Sequence, residues 1–367
     1  MTKPLIGLRC DVFCNVIDNF GDAGVAWRLV RALAEVTDWQ IRLVIDAPHL
    51  IDKLGRSIDR HVEVVAWREN LGEWSIADIV IETFACRLPE SYLARMRQNS
   101  PSPVWINLDY LSAESWVEDC HGLPSPDPQS GIPKYFYFPG FSSKTGGLLC
   151  EGQALRRFSG ETDLNSDRHW LKTLNIQVAN DATLVSLFCY RDSPVSELFT
   201  AWNASSSPVH CLLAAGLPEA DLQKIIDDAT FNGISVTLLP FLTQEDYDRL
   251  LAVCDVNFVR GEDSFVRAQW AQKPFIWQAY RQSDEVHFEK LNAFLTRYLA
   301  DAPDEVARTS KAIHSAWNQE TPWTPRLWTN FIAQNAPLTR HNQRWAKAIS
   351  ANGNLAENLA RFIKSKL

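Results

Sequence analysis

Short apolar runs alternate with helix-spaced stripes in two successive series along this chain. The first series has runs at Asp11–Val16, Ile41–Ile45, Val62–Ala66, Ile79–Ile81 and Val104–Leu108. Stripes fall between several of them, as at Val25–Glu35 and Ser91–Arg97. This alternation predicts βαβ units and a parallel sheet. The second series has runs at Thr183–Phe188, Val209–Ala214, Ser235–Leu239, Asp255–Val259 and Pro274–Ile276. Helices are expected at Glu219–Asp228, Gln244–Cys254 and Ser264–Ala271. The pattern therefore predicts an α/β protein with two Rossmann-like domains facing a central cleft, and 367 residues suit two domains. The expected domains are residues 1–178 and 179–342, with a last helix near Leu355–Ile363, inside 343–367, packing back on the first. Between the two series, residues 123–147 are rich in turn formers and in aromatics such as Tyr135, Phe136 and Tyr137. They read as an ordered loop or an extra strand closing the first domain.

The net charge of −8 lacks the basic stripe of a nucleic-acid surface. No run approaches the roughly 18 apolar residues of a membrane span. Met1-Thr2-Lys3-Pro4 carries no signal-peptide core, so the chain reads as soluble and cytoplasmic. Eight cysteines are scattered without a Cys-x-x-Cys pair, and eight histidines show no ligand spacing. Cys10 and Cys14 would lie about 13 Å apart on a strand. Buried thiols are expected, and nothing asks for a metal.

Chemistry is concentrated where strands end. The first strand runs into Asp18-Asn19-Phe20-Gly21-Asp22-Ala23-Gly24, a glycine-bearing turn with two carboxylates. In open α/β sheets, ligands sit at such loops. Asp22 can cap the following helix. Asp18 is then surplus, which hints at catalysis. A second turn, Val259-Arg260-Gly261-Glu262-Asp263-Ser264, opens a helix. A helix N-terminus beside Arg260 suits a phosphate, and a plain acidic N-cap fits equally. No Gly-x-x-x-x-Gly-Lys-Ser/Thr loop occurs.

Phe241, before Thr243 and Gln244, is a platform for a nucleobase or a hydrophobic staple. Phe188-Cys189-Tyr190-Arg191 suits a base or phosphate, or a packed strand end. Asp246-Tyr247-Asp248 matches the Asp-x-Asp pattern of metal-bound sugar nucleotides. It lies in the first turns of a helix, where acids oppose the dipole, so a structural or solvated role is expected. Trp170, Trp202, Trp270, Trp317 and Trp328 read as core residues.

Together, Asp18–Leu29, Ile81–Cys86, Leu108–Glu114, Pro124-Ser125-Pro126, Lys134-Tyr135-Phe136, Gly140-Phe141-Ser142 and Arg260–Gln269 resemble the bacterial protein-arginine rhamnosyltransferases that modify elongation factor P. The resemblance weakens from about residue 295. It implies a GT-B fold and an inverting, metal-independent transfer of rhamnose from dTDP-β-L-rhamnose to an arginine of elongation factor P. That modification would activate the factor for ribosomes stalled at polyproline. The resemblance places the catalytic aspartate on Asp22, with Asp18 as companion and Glu262 as a further carboxylate needed for activity. It assigns the thymine pocket to Phe188, Phe241 and Gln244, and the diphosphate contacts to Tyr190, Asp263 and Ser264, with Arg260 nearby. The first domain would take the acceptor, the N-terminal domain of elongation factor P, and acids such as Glu82, Asp109 and Glu114 either read it or are simply solvated or capping residues. The second would hold the donor. No cofactor, direct nucleic-acid contact or membrane contact is implied. Two other classes remain open: a nucleotide-sugar enzyme of GT-B or epimerase type acting on a small molecule, and a non-catalytic nucleotide-binding module.

Overall fold

The computed structural model describes residues 7–18, 20–55, 61–68, 74–152, 156, 164–179, 181–282 and 285–367. The N-terminal tetrapeptide and Asn19 lie outside the described residues. The chain divides into two compact units, Met1–Glu151 with Ile349–Leu367, and Gly152–Ala348.

The first unit runs β1 (Arg9–Cys14), α1 (Phe20–Val36), β2 (Gln40–Ile45), α2 (His49–Gly55), β3 (Val62–Ala66), β4 (Ile79–Thr83), α3 (Glu90–Gln98), β5 (Val104–Leu108), α4 (Trp116–Cys120), β6 (Pro124–Pro126) and β7 (Pro133–Tyr137). Its sheet has the order β3-β2-β1-β4-β5-β7-β6. The strands are parallel except β6, which pairs antiparallel with β7 in register Ser125↔Lys134. The aromatic segment therefore adds two strands to the sheet. β1, β4 and β5 are central and almost wholly buried, as parallel strands covered on both faces must be. Their apolar runs follow from that burial.

The second unit runs α5 (Leu164–Thr173), β8 (Thr183–Leu187), α6 (Val195–Asn203), β9 (Val209–Leu213), α7 (Glu219–Phe231), β10 (Ser235–Leu238), α8 (Gln244–Val253), β11 (Val256–Arg260), α9 (Asp263–Ala271) and β12 (Phe275–Gln278). Four helices complete the run, α10 (Val286–Tyr298), α11 (Asp304–Trp317), α12 (Pro325–Ala333) and α13 (Asn335–Ser350). Its sheet is parallel, in the order β10-β9-β8-β11-β12. Trp202, Trp317 and Trp328 pack around Phe258 at centroid distances of 6.2, 4.8 and 6.4 Å. Trp270 is also buried, and Trp170 packs against a smaller cluster with Leu171 and Ile176.

The last helix, α14 (Leu355–Lys364), belongs to the first unit. Leu355, Leu359 and Ile363 recur at helical spacing and share a core cluster with Ala26, Leu29 and Leu33 of α1. The contact units thus change at 151/152 and 348/349, where the sequence reading put boundaries at 178/179 and 342/343. All eight cysteines are free, and only Cys120 is not fully buried.

Candidate active site

In the first unit, β1 lies between β2 and β4, so the chain winds outward in both directions from that point. The loops leaving β1 and β4 therefore flank a crevice at the carboxyl ends of the strands, where α/β sheets bind ligands. Asp22 is the third residue of α1 and is only 3 % exposed. It does not cap the helix, as the spacing suggested. Its Oδ2 instead accepts from the backbone N–H groups of Ile17 (2.7 Å) and Asp18 (2.8 Å). The carboxylate reaches back to the residues before the helix, as the third residue of a capping box does. Asp46 Oδ1 accepts from Val16 N at 3.0 Å. Three successive N–H groups of the loop are thus fixed by carboxylates.

Burial pushes the Asp22 carboxyl above the usual range. The hydrogen bonds from Asp18, Ile17 and the Tyr110 side chain oppose that shift, and the nearby Asp46 charge adds to it. Tyr110 follows β5 and stacks on Phe84, with centroids 4.7 Å apart. Phe84 and Ala85 both adopt left-handed backbone, φ 58° and 54°. Consecutive non-glycine residues there are strained, a feature that gathers at functional sites. Asp18 is half-buried, and its carboxylate folds over Gly21.

Glu82 does not serve as a surface acid. It is 2 % exposed, and Lys134 Nζ donates to its Oε2 at 3.0 Å. Asp109 accepts from Tyr110 N at 2.8 Å, and Glu114 accepts from Ser112 Oγ at 2.9 Å; both stay half-buried.

The second unit repeats the arrangement, with β8 between β9 and β11. Phe188 and Tyr190 follow β8, and Arg260 ends β11. The Arg260 guanidinium lies 4.2 Å from the Phe188 ring centre and 4.6 Å from that of Tyr190. Its Nη1 donates to Cys189 O (2.9 Å) and its Nη2 to Gly216 O (3.2 Å). Arg260 thus brings a charge to the strand ends while pinning two loops together. Gly216 permits this approach: a Cβ there would sit 2.6 Å from Phe188 Cε2.

Glu262 occupies the N-cap position of α9, yet its side chain makes no capping bond. Ser264 Oγ donates to Arg260 O (2.6 Å) and accepts from Arg260 N (3.0 Å), closing the turn at Gly261. Gln244 opens α8 and donates to Asp263 Oδ2 at 3.5 Å.

Phe241 is 38 % exposed, and the staple belongs to its neighbours. Leu242 precedes the Thr243 cap, and Tyr247 stands four residues after that cap. Both pack on one apolar cluster. Asp246 N donates to Thr243 Oγ1 (3.2 Å), and Asp246 also pairs with Arg249. Asp248 gives both oxygens to Arg267. The Asp-x-Asp carboxylates are therefore engaged within the protein. Among the described residues no group of three or more His, Cys, Asp or Glu is arranged to hold a metal ion. Among them also, no helix is long and apolar enough to cross a membrane.

Asp18 and Asp22 thus lie at the switch point of the first unit. In the second, Phe188, Tyr190, Arg260, Glu262, Asp263 and Ser264 end or follow the central strands β8 and β11, with Gln244 reaching Asp263, whereas Phe241 follows the edge strand β10. Three contributors escape sequence reading. Tyr110 supports Asp22 from β5, Gly216 admits Phe188, and Gln278 Oε1 accepts from Tyr190 N at 3.1 Å. Each acts across strands, and no local spacing signals such a contact.

Two Rossmann-like sheets, each with a site at its strand ends, have the architecture of the GT-B fold, and solved structures share it. The spinosyn rhamnosyltransferase SpnG matches at TM-score 0.56 and 12% identity, covering 98% of this chain and 100% of SpnG. The EarP structure reported for arginine glycosylation of translation elongation factor EF-P matches at TM-score 0.68 and 28% identity, covering 98% and 100%. The protein-arginine rhamnosyltransferase of Pseudomonas putida is 38% identical over 374 residues, covering 97% of this chain and 99% of the relative. The chain belongs to the Elongation-Factor P (EF-P) rhamnosyltransferase EarP family, whose model matches residues 10–364.

Proposed function

We propose that this chain transfers rhamnose from dTDP-β-L-rhamnose to an arginine side chain of elongation factor P, with inversion and without a metal ion. The reaction belongs to the cytoplasm, and the modified factor would act on ribosomes stalled at polyproline. The observation that carries the reading is Asp22, a buried carboxylate of raised basicity fixed at the switch point of a chain that matches the family along nearly its whole length.

A guanidinium has a pKa above about 12 and a delocalised lone pair, so it is a poor nucleophile. Asp22 hydrogen-bonds the attacking nitrogen and takes its proton as the N–C1 bond forms. Asp18 holds another guanidinium N–H and offsets charge. The C1–O bond to the diphosphate breaks, and dTDP leaves with the electron pair. Its charge goes to the N–H groups opening α9 at Asp263 and Ser264, with Tyr190 beside them and the Arg260 charge behind. Phe188, Phe241 and Gln244 hold the thymine. Attack opposite the leaving group inverts the anomeric centre. Glu262 stands at the turn next to the diphosphate site, where it orients the sugar.

Incubating the protein with elongation factor P and dTDP-β-L-rhamnose tests this. One arginine should gain about 146 Da, the mass of a covalently added deoxyhexose. Rhamnose appearing instead on a small molecule, or no transfer at all, would overturn the reading.

A further inference from the structure

Helices α8 and α9 pack side by side, and their seam contains a charged pair that the reaction does not use. Arg267 Nε donates to Asp248 Oδ1 at 3.0 Å, and Arg267 Nη2 to Asp248 Oδ2 at 2.7 Å. The two side chains are 1 % and 4 % exposed. Four residues earlier on each helix the seam repeats, as Gln244 Nε2 meets Asp263 Oδ2 at 3.5 Å. One helical turn therefore separates the two rungs on both helices. Tyr247, next to Asp248, sets its ring edge-on to Phe188 at 5.7 Å. The amino end of α8 thus carries the groups assigned to the base, and that of α9 the groups assigned to the diphosphate.

We infer that Asp248 and Arg267 are a positioning pair for the donor, fixing the register of α8 against α9 so that one nucleotide engages both helix ends at once. The inference rests on the donor assignment above. A buried ion pair is a poor source of stability, because desolvating two charges offsets their attraction. What it supplies is direction. A planar guanidinium meeting both oxygens of a carboxylate has one good geometry, whereas an apolar seam can slide. Thymine and diphosphate are joined covalently, so binding the first raises the effective concentration of the second. That gain requires the two subsites to keep their spacing.

The test replaces the pair by apolar residues of similar shape, Asp248→Leu with Arg267→Met, a change that tends to preserve the fold. Calorimetry measures dTDP, and ligand-observed NMR measures thymidine and pyrophosphate separately. With the melting temperature retained, dTDP affinity should fall about tenfold or more as the linkage advantage is lost. The separate fragments should stay within about threefold of the unmodified chain, since each touches only one helix end. KM for dTDP-β-L-rhamnose should rise while kcat changes little. Arg267→Lys keeps the charge without the fork and should give a smaller loss of the same kind, so the idea stays testable if the double variant does not fold. Unchanged dTDP affinity in a folded variant, or an equal loss for all three ligands, would overturn the inference. If the unmodified chain fails to bind dTDP, the donor assignment itself fails and takes the inference with it; that result is visible before any substitution.

Discussion

The Asp18 carboxylate folds so closely over Gly21 that a Cβ at residue 21 would lie 2.7 Å from Asp18 Oδ2. The contact is to the far end of a side chain and not to backbone, so Gly21→Ala can be accommodated by shifting the Asp18 carboxylate. Alanine in the first turn also favours the helix by at most about 1 kcal/mol. Gly21→Ala should therefore leave the melting temperature unchanged or slightly raised while rhamnose transfer falls about tenfold or more, given the sensitivity of catalysis to small misplacements. Full activity at normal stability would mean that Asp18 takes no part.

Asp22→Asn should lower transfer by roughly 10²–10⁴, the usual loss for a general base. Donor binding should persist, because the residues proposed to hold the donor are on the other unit. The raised Asp22 pKa also sets a pH signature. Activity should fall on acidification at a pH above the ordinary carboxylate range, as the base becomes protonated. The stability effect has the opposite sense. A carboxyl whose folded pKa is raised binds its proton more readily when folded. Its burial cost is thus absent below the unfolded pKa and grows as pH rises to the folded one. Asp22→Asn should flatten that mild-acid slope in thermal melts, and an unaltered slope would point to another group.

Local pattern carried much of the fold, since central parallel strands such as β1 and β4 are buried on both faces and mostly apolar, so they reveal themselves as short runs. The carboxylate loop and the α9 entry were legible because strand–turn–helix junctions have local chemistry. Asp22 shows the limit. Its acidic first-turn position reads as a cap, and only the folded loop reveals that it accepts from Ile17 and Asp18. Glu82 was misread for a similar reason: its Lys134 partner lies on β7, and sequence does not tell a buried pair from a surface acid. The C-terminal unit's α10 to α13 were not anticipated. No strand follows β12, so the alternation that revealed the earlier helices is missing from there on.

Phe241→Ala should weaken dTDP-β-L-rhamnose binding by about 1–3 kcal/mol, the scale of one lost base–aromatic stack. Stability should hardly change, because Leu242 and Tyr247 supply the staple and Phe241 is 38 % exposed. Calorimetry and a melting curve separate the two effects. Unchanged affinity with a lowered melting temperature would move the base elsewhere.

Chelation should leave transfer intact. Asp248 is committed to Arg267, and Asp246 to Arg249 and Thr243, so the Asp-x-Asp segment has no carboxylate in reserve for a cation. Assays with EDTA, then with added Mn²⁺ or Mg²⁺, check this. Loss with chelator and recovery with metal would overturn the assignment of the diphosphate to the α9 entry.

Selecting one arginine on one protein needs more than the side chain, since free arginine and other surface arginines abound. Asp109 and Glu114 stay half-exposed in the segment that also carries Tyr110, whereas Glu82 is spent inside the fold. The chain is also acidic overall, at −8. An acidic surface attracts a basic loop and orients it during encounter. The folded N-terminal domain of elongation factor P should therefore be modified far faster than a linear peptide carrying the same arginine. Charge steering between exposed groups is screened over about 10 Å at 0.1 M salt, so that advantage should shrink as salt rises. Rates for domain and peptide, measured side by side across a salt series, decide the matter. Equal rates at every salt would mean that only local sequence is read, with no docking surface on the first unit.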